Sequence, residues 1–165
     1  NSDRFEDVAK IALDTATTEQ TALVLSAPAK ITNLLVALVS QGASGNDGKE
    51  QFEQIRAIVE PIIKNLGAKY DKFDTEKILA KFNETIAILH DRLNGMVLLG
   101  VCPEEVMAFV ESRGESFSIL IMAELLQALG KKVRVIDPVK VLVTEGGVME
   151  SSVNIEASKQ KYASI

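Results

Sequence analysis

The sequence predicts an α/β fold, an open layered arrangement that is rich in helix and has few parallel strands. Three observations lead there. The run Ala22-Leu23-Val24-Leu25 is apolar without alternation, as suits a strand buried on both faces. It leads through Ser26-Ala27-Pro28-Ala29-Lys30-Ile31-Thr32-Asn33 into the apolar-periodic Leu34-Leu35-Val36-Ala37-Leu38-Val39, giving a strand, a hydroxyl-bearing loop and a helix in succession. Beyond these, long stretches repeat apolar residues every three or four positions, the spacing of helices that bury one face.

Taken in order, Asp3 and Glu6 have the spacing of a capping box, and Phe5, Val8, Ile11 and Ala12 continue it as an amphipathic helix over about 3–17. The first strand follows at 21–27, then a helix at about 32–41. Three glycines within residues 42–49 mark a loop. Phe52, Ile55, Ile58, Val59, Ile62, Ile63 and Leu66 define the next helix, with Pro61 expected to bend or split it and Gly67 to end it. Ile78, Phe82, Ile86, Leu89, Leu93 and Val97 make the longest helix, which starts near Asp74 or Thr75. These two helices form a hairpin appended to the sheet, over about 49–100.

Pro103-Glu104-Glu105 suits a helix's first turn, and that helix runs to about Ser112. Gly114 is expected to break the chain before a helix over 115–129, apolar almost all round and ended by Gly130. Val133-Arg134-Val135-Ile136 reads as a second strand, stopped by Asp137-Pro138. A helical turn at 139–143, a short strand near 149–153 after Gly146-Gly147, and a helix over 155–163 complete the chain.

With 165 residues, 47% of them hydrophobic, one compact domain is expected. A net charge of −5, from 18 basic and 23 acidic residues without long blocks of either sign, argues against a nucleic-acid partner. The longest apolar stretch, 117–130, is interrupted by Glu124 and Gln127, so no membrane span is expected. The single cysteine, Cys102, has no internal disulfide partner, and with no signal peptide ahead of the first helix a cytoplasmic location is expected. Its place at a helix start is expected to lower its pKa. His90 is expected at the surface or between helices, and Met96, Met107, Met122 and Met149 as core filler. Metal-ligand spacing is absent.

The chemistry concentrates at the junction after the first strand. Ligands favour the carboxyl ends of strands in open α/β sheets, because helix N–H groups there attract anions. Ser26 and Thr32 stand at this place, and Thr32 serves equally as an ordinary helix cap. Glu115, after Arg113-Gly114, opens a buried helix and is either a first-turn acid favoured by the dipole or a ligand for a cation.

The stretch Val24-Leu25-Ser26-Ala27-Pro28-Ala29-Lys30-Ile31-Thr32-Asn33 resembles the substrate loop of aspartate kinases, in particular the threonine-sensitive type fused to homoserine dehydrogenase. Other aspartate kinases tend to carry glycine where Lys30 stands and lack Pro28. Three further blocks agree: Ser112-Arg113-Gly114-Glu115-Ser116-Phe117-Ser118, Val135-Ile136-Asp137-Pro138-Val139 and Glu150-Ser151-Ser152-Val153-Asn154-Ile155. The similarity is weakest over 42–74.

The resemblance implies the three-layer αβα amino-acid-kinase fold, similar to carbamate kinase, here incomplete. It implies transfer of the ATP γ-phosphate to the side-chain carboxylate of L-aspartate, with ATP and Mg as cofactors and NADP for a fused dehydrogenase. It makes Ser26, Thr32, Asn33 and Glu115 substrate-binding residues, with Glu115 holding the amino group. Arg113 and Lys30 stand behind them, Arg113 alternatively in a surface salt bridge. Asp137 pairs with one of these or caps the turn after it. The family's Lys-Phe-Gly-Gly-Thr-Ser phosphate loop and its Gly-Ser-Asp-Tyr loop do not occur in the 165 residues. The chain is therefore expected to be a kinase-domain fragment, 1–165, inactive alone, lacking the first strand and the nucleotide-binding half, with no cofactor bound. Its exposed sheet edge or its hairpin is a possible contact between copies of the chain. The alternatives are another amino-acid kinase, which the loop at 26–33 argues against, and a non-catalytic module whose hairpin presents an apolar dimerisation stripe.

Overall fold

A computed structural model of the chain describes residues 1–148 and 150–164. They fall into two compact units, divided between residues 133 and 134. The first is all helical, with α1 (Ser2–Thr15), α2 (Ile31–Ala43), α3 (Lys49–Lys69), α4 (Thr75–Leu99), α5 (Glu104–Glu111) and α6 (Arg113–Ala128). At its centre lies α2, which packs against α3, α4, α5 and α6 and buries Ile31, Leu35, Leu38 and Val39. Around it, α3 and α4 run antiparallel, as the pairings of Phe52 with His90 and of Arg56 with Asn83 require. Phe82 of α4 meets Phe117 of α6 edge to face, with ring centroids 5.1 Å apart.

The stripes read from the sequence point inward. Phe52, Ile55, Val59, Ile63 and Leu66 of α3 and Ile78, Phe82, Ile86, Leu89 and Leu93 of α4 are all buried. Each such side chain contributes about 1.5–3 kcal/mol by leaving water. The apolar stripe of the hairpin is thus consumed within the unit and is not available as a dimerisation surface.

Two buried glutamates tie the hairpin to its neighbours. Glu6 of α1, 8% exposed, is paired with Lys69 at the end of α3. Glu124 of α6, 6% exposed, is paired with Lys77 and also accepts the Asp74 N–H at 3.2 Å. Glu6 therefore serves this contact rather than a capping box, and Asn1 caps α1 instead by accepting from the Arg4 N–H.

Several local expectations are corrected. Gly67 does not end α3, which continues to Lys69 with Pro61 inside it. A Cβ at Gly67 would fall 1.8 Å from the Thr75 Oγ1, so the missing side chain lets the hairpin close there. Gly114 breaks nothing either: the division between α5 and α6 falls at Ser112, and Gly114 lies buried in the first turn of α6.

The predicted strands at 21–27 and 133–136 are not formed, since residues 20–28 and 131–137 belong to no regular element. A strand exists by sharing N–H and C=O groups with a neighbour, and among the described residues none lies alongside either segment. Residues 24–27 still alternate as an extended chain does: Leu25 and Ala27 rest on the core, while Ser26 is exposed and Val24 is 99% exposed.

The second unit holds α7 (Pro138–Val141), β1 (Thr144–Glu145), β2 (Ser152–Val153) and α8 (Ile155–Ala163). The two strands pair antiparallel, Thr144 opposite Val153, so the one ladder among the described residues is not parallel. The strand expected near 149–153 is realised at Ser152–Val153, with Met149 outside the described residues. Asp137 caps α7 by accepting the Val139 N–H, and Asn154 caps α8 by accepting the Ala157 N–H.

Two outcomes follow. Removing Lys77 leaves the Glu124 carboxylate buried with one N–H partner, whereas removing the acid lets the half-exposed lysine return to water. Lys77→Ala is therefore expected to cost about 2–3 kcal/mol and Glu124→Gln about 1 kcal/mol in urea unfolding. His90 stacks on Phe52 at 3.6 Å, and partial burial, followed by the charge of Arg56, holds its pKa below 6.5. The folded state then takes up this proton less readily than the unfolded one. Its stabilisation is complete above 6.5 and is lost as pH falls through the lower folded value. The urea midpoint should drop on acidification below that value, and His90→Leu should remove this part of the slope.

Candidate functional site

The first turn of α2 is built by an unusual backbone. Lys30, its N-cap, has φ 72° and ψ −15°, and no other described non-glycine residue has a positive φ. The left-handed region costs an L-residue roughly 1–2 kcal/mol. Glycine would adopt this conformation without that cost. The conformation lets the chain reverse between Pro28, whose carbonyl accepts the Ile31 N–H at 3.0 Å, and the helix, where the Lys30 carbonyl accepts the Leu34 N–H at 3.1 Å.

No side chain caps this helix. The expectation that Thr32 caps it is corrected, because α2 begins one residue earlier and Thr32 sits inside the first turn. Its hydroxyl, like that of Ser26, is exposed and bonds to no described residue. The N–H groups of Thr32 and Asn33 find no acceptor among the described residues either. Two N–H groups, two hydroxyls and the positive end of a buried helix are thus open together, a surface suited to a carboxylate.

The first turn of α6 lies against this turn. A Cβ built on Gly114 would stand 2.7 Å from the Ala27 Cβ, 3.4 Å from the Ile31 Cγ2 and 3.5 Å from the Leu35 Cδ1. Residues adjacent to Ser26, to Thr32 and to Glu115 are therefore in contact. Glu115 is half-buried, and no donor or cation among the described residues pairs with its carboxylate. Glu6 and Glu124, the fully buried acids, each have a lysine. Among the described residues Glu115, like Glu111, is a partly buried acid in no ion pair, and Glu115 is the one beside the first turn of α2.

Lys30 and Asn33 lie toward α3 instead. With Leu34, Gln54, Ala57 and Ile58 they line a groove of about 540 Å³ between α2 and α3. Helix geometry separates the roles, since Asn33 is turned about 200° from Ile31, which faces Gly114. The Lys30 ammonium pairs with no described carboxylate. Arg113 is tied back to α5: its Nε donates to the Phe109 carbonyl at 3.2 Å, Nη2 donates to the Ser112 Oγ at 2.9 Å, and the guanidinium lies 4.4 Å from the Phe109 ring centre. Gln54, from the weakly patterned hairpin, gave no signal in the sequence. Gly114 was read only as a break, and its close packing against Ala27 was missed.

Cys102 is not activated. Burial, then the charge of Glu111, pushes its thiol pKa up rather than down. No group of three or more His, Cys, Asp or Glu residues that would hold a metal occurs among the described residues, and none of their helices is long and apolar enough to cross a membrane.

No protein-family model matches the chain. It is 36% identical over 165 residues, 97% of its length, to a bifunctional aspartokinase/homoserine dehydrogenase of Buchnera aphidicola subsp. Acyrthosiphon pisum. It is also 36% identical over 161 residues, 98% of its length, to the protein of the same description from Haemophilus influenzae. The chain spans about 20% of the length of these curated relatives. Among solved structures it is similar to E. coli aspartokinase III in complex with lysine and aspartate (T-state), with a TM-score of 0.80, 25% identity, and 98% of this chain and 34% of that chain covered. The complex of the same enzyme with aspartate and ADP (R-state) gives a TM-score of 0.82 at 25% identity, covering 99% and 34%. The resemblance to aspartokinases and the incomplete amino-acid-kinase fold are thus borne out.

The left-handed N-cap gives a direct test. Lys30→Gly relieves the backbone, offset by the greater freedom of the unfolded chain, and is expected to raise the unfolding free energy by up to about 1 kcal/mol. Lys30→Val, β-branched at the same φ, should lower it by about 1–2 kcal/mol in the same urea titration.

Proposed function

We propose that this chain is the aspartate-binding part of an aspartate kinase, an enzyme that transfers the γ-phosphate of ATP to the side-chain carboxylate of L-aspartate on the route to threonine, methionine and lysine. The observation that carries this reading is the half-buried Glu115 carboxylate. It has no hydrogen-bond or ion-pair partner among the described residues and lies beside a helix end that no side chain caps. A carboxylate facing N–H and hydroxyl donors is complementary to an amino acid, whose ammonium and carboxylate carry the opposite charges.

In this reading Glu115 accepts hydrogen bonds from the substrate ammonium. The N–H groups of Thr32 and Asn33, with the hydroxyls of Ser26 and Thr32, donate to a carboxylate. Lys30, at the lip of the α3 groove, adds positive charge, and Arg113, stacked on Phe109, holds the turn that presents Glu115. Phosphoryl transfer asks the protein for positioning and charge neutralisation rather than covalent help, and these residues supply the positioning of the acceptor.

The donor set does not fit the cofactors. No cluster of acids suited to magnesium is present among the described residues, and the sequence contains no G-x-G-x-x-G run for NADP. No step through either is assigned to these residues, and they are expected to bind substrate without turning it over. The names of the relatives supply the aspartokinase activity, and the aspartokinase III complexes supply aspartate as the ligand to test.

Isothermal titration of the chain with L-aspartate, L-glutamate and succinate tests the reading. L-Aspartate should bind best, and succinate, which has no ammonium, should bind at least about tenfold more weakly. Glu115→Gln should abolish that preference, and Thr32→Ala should weaken aspartate by about 0.5–1.5 kcal/mol. Equal binding of aspartate and succinate, or no binding of either, would sink the proposal.

A further inference from the structure

The contact between Ala27 and Gly114 joins the two halves of the candidate site. Ala27 follows Ser26 in the loop, and Gly114 precedes Glu115 in α6. At their contact a methyl group meets bare backbone, and a Cβ on Gly114 would come within 2.7 Å of the Ala27 Cβ. Two carbon atoms pack at about 3.5–4.0 Å, so an added methyl requires a separation of about 1 Å. The obstructing atom is a Cβ fixed to the backbone, so no side-chain rotation relieves it. Either the loop carrying Ser26 or the helix turn carrying Glu115 has to move. The next nearest atoms, on Ile31 and Leu35, lie at 3.4 and 3.5 Å and leave Ala27 as the one severe obstruction.

We infer that Gly114 is a positioning residue, and that with Ala27 it sets the span between the hydroxyl and N–H donors of the first α2 turn and the Glu115 carboxylate. This rests on the substrate reading given above and adds to it the element that fixes the length of ligand the site accepts. A dicarboxylic amino acid touches both sides only at that span. A displacement near 1 Å in such a clamp weakens productive binding on the order of tenfold to a hundredfold. The pair also explains why glycine stands in the first turn of a buried helix, where it is otherwise unfavourable.

The test is a rescue. L-Aspartate and succinate are titrated into the wild-type chain, Gly114→Ala, and the double variant Ala27→Gly/Gly114→Ala, with circular dichroism recording the helix content and melting of each. The expected result is that Gly114→Ala loses aspartate affinity by about tenfold or more, and with it the preference over succinate. Moving the methyl to the other side of the contact in the double variant should restore both to within about threefold of wild type. Gly114→Ala that folds and binds aspartate like wild type overturns the inference. A double variant that folds poorly, or that fails to regain binding, overturns it as well, because steric separation would then not be the cause. Wild-type chain that binds no aspartate instead defeats the substrate reading on which the inference stands.

Discussion

Packing of α2 against four other helices is the constraint from which the rest of the first unit follows. Ile31, Leu35, Leu38 and Val39 are covered by α3, α4, α5 and α6, so the helix has no freedom to slide or roll without opening the core. Its amino end is consequently fixed in space although nothing caps it. A helix end normally satisfies its leading N–H groups with a side chain, and leaving them open at a rigid position sacrifices some stability. The left-handed Lys30 adds to that sacrifice. Strain and unsatisfied donors occurring together at one turn are the pattern expected of a place kept ready for a ligand.

The acids of this unit divide in an informative way. Glu6 and Glu124 are buried more completely than Glu115, and each is neutralised by a lysine from the hairpin. The fold therefore supplies cations where acids serve its own cohesion. Glu115 receives none among the described residues, while Arg113, two residues away, donates to the Phe109 carbonyl and the Ser112 hydroxyl.

How much of this could be read from the sequence depended on the range of the forces involved. The helices of the hairpin were legible because Ile78, Phe82, Ile86, Leu89 and Leu93 repeat a local period that packing then uses. The start of α4 near Asp74 or Thr75 was legible too, and Asp74 caps it by accepting the Lys77 N–H. The strands at 21–27 and 133–136 were over-read, since apolar content records a wish for burial while a ladder also needs a neighbour, which the sequence of the segment alone cannot reveal. Glu6 misled because its spacing from Asp3 suits a capping box, whereas its partner, Lys69, is remote in sequence. At the candidate site the motif pointed to Ser26, Thr32 and Glu115, whose chain neighbours the fold brings into contact. The close approach at Gly114 and the backbone of Lys30 were not legible, because both are set by elements folding onto one another.

The two buried glutamates are paired at the tip of the hairpin, with Lys69 just before the 70–74 connection and Lys77 just after it. The glutamates lie 63 residues upstream and 47 residues downstream of these lysines. Burial of Glu6 against α1's neighbours therefore requires Lys69, which lies near the end of α3. The hairpin closes over a short connection at little entropic cost and presents Lys77 to Glu124 of α6. The tip thus acts as a mooring for α1 and for the helix of Glu115.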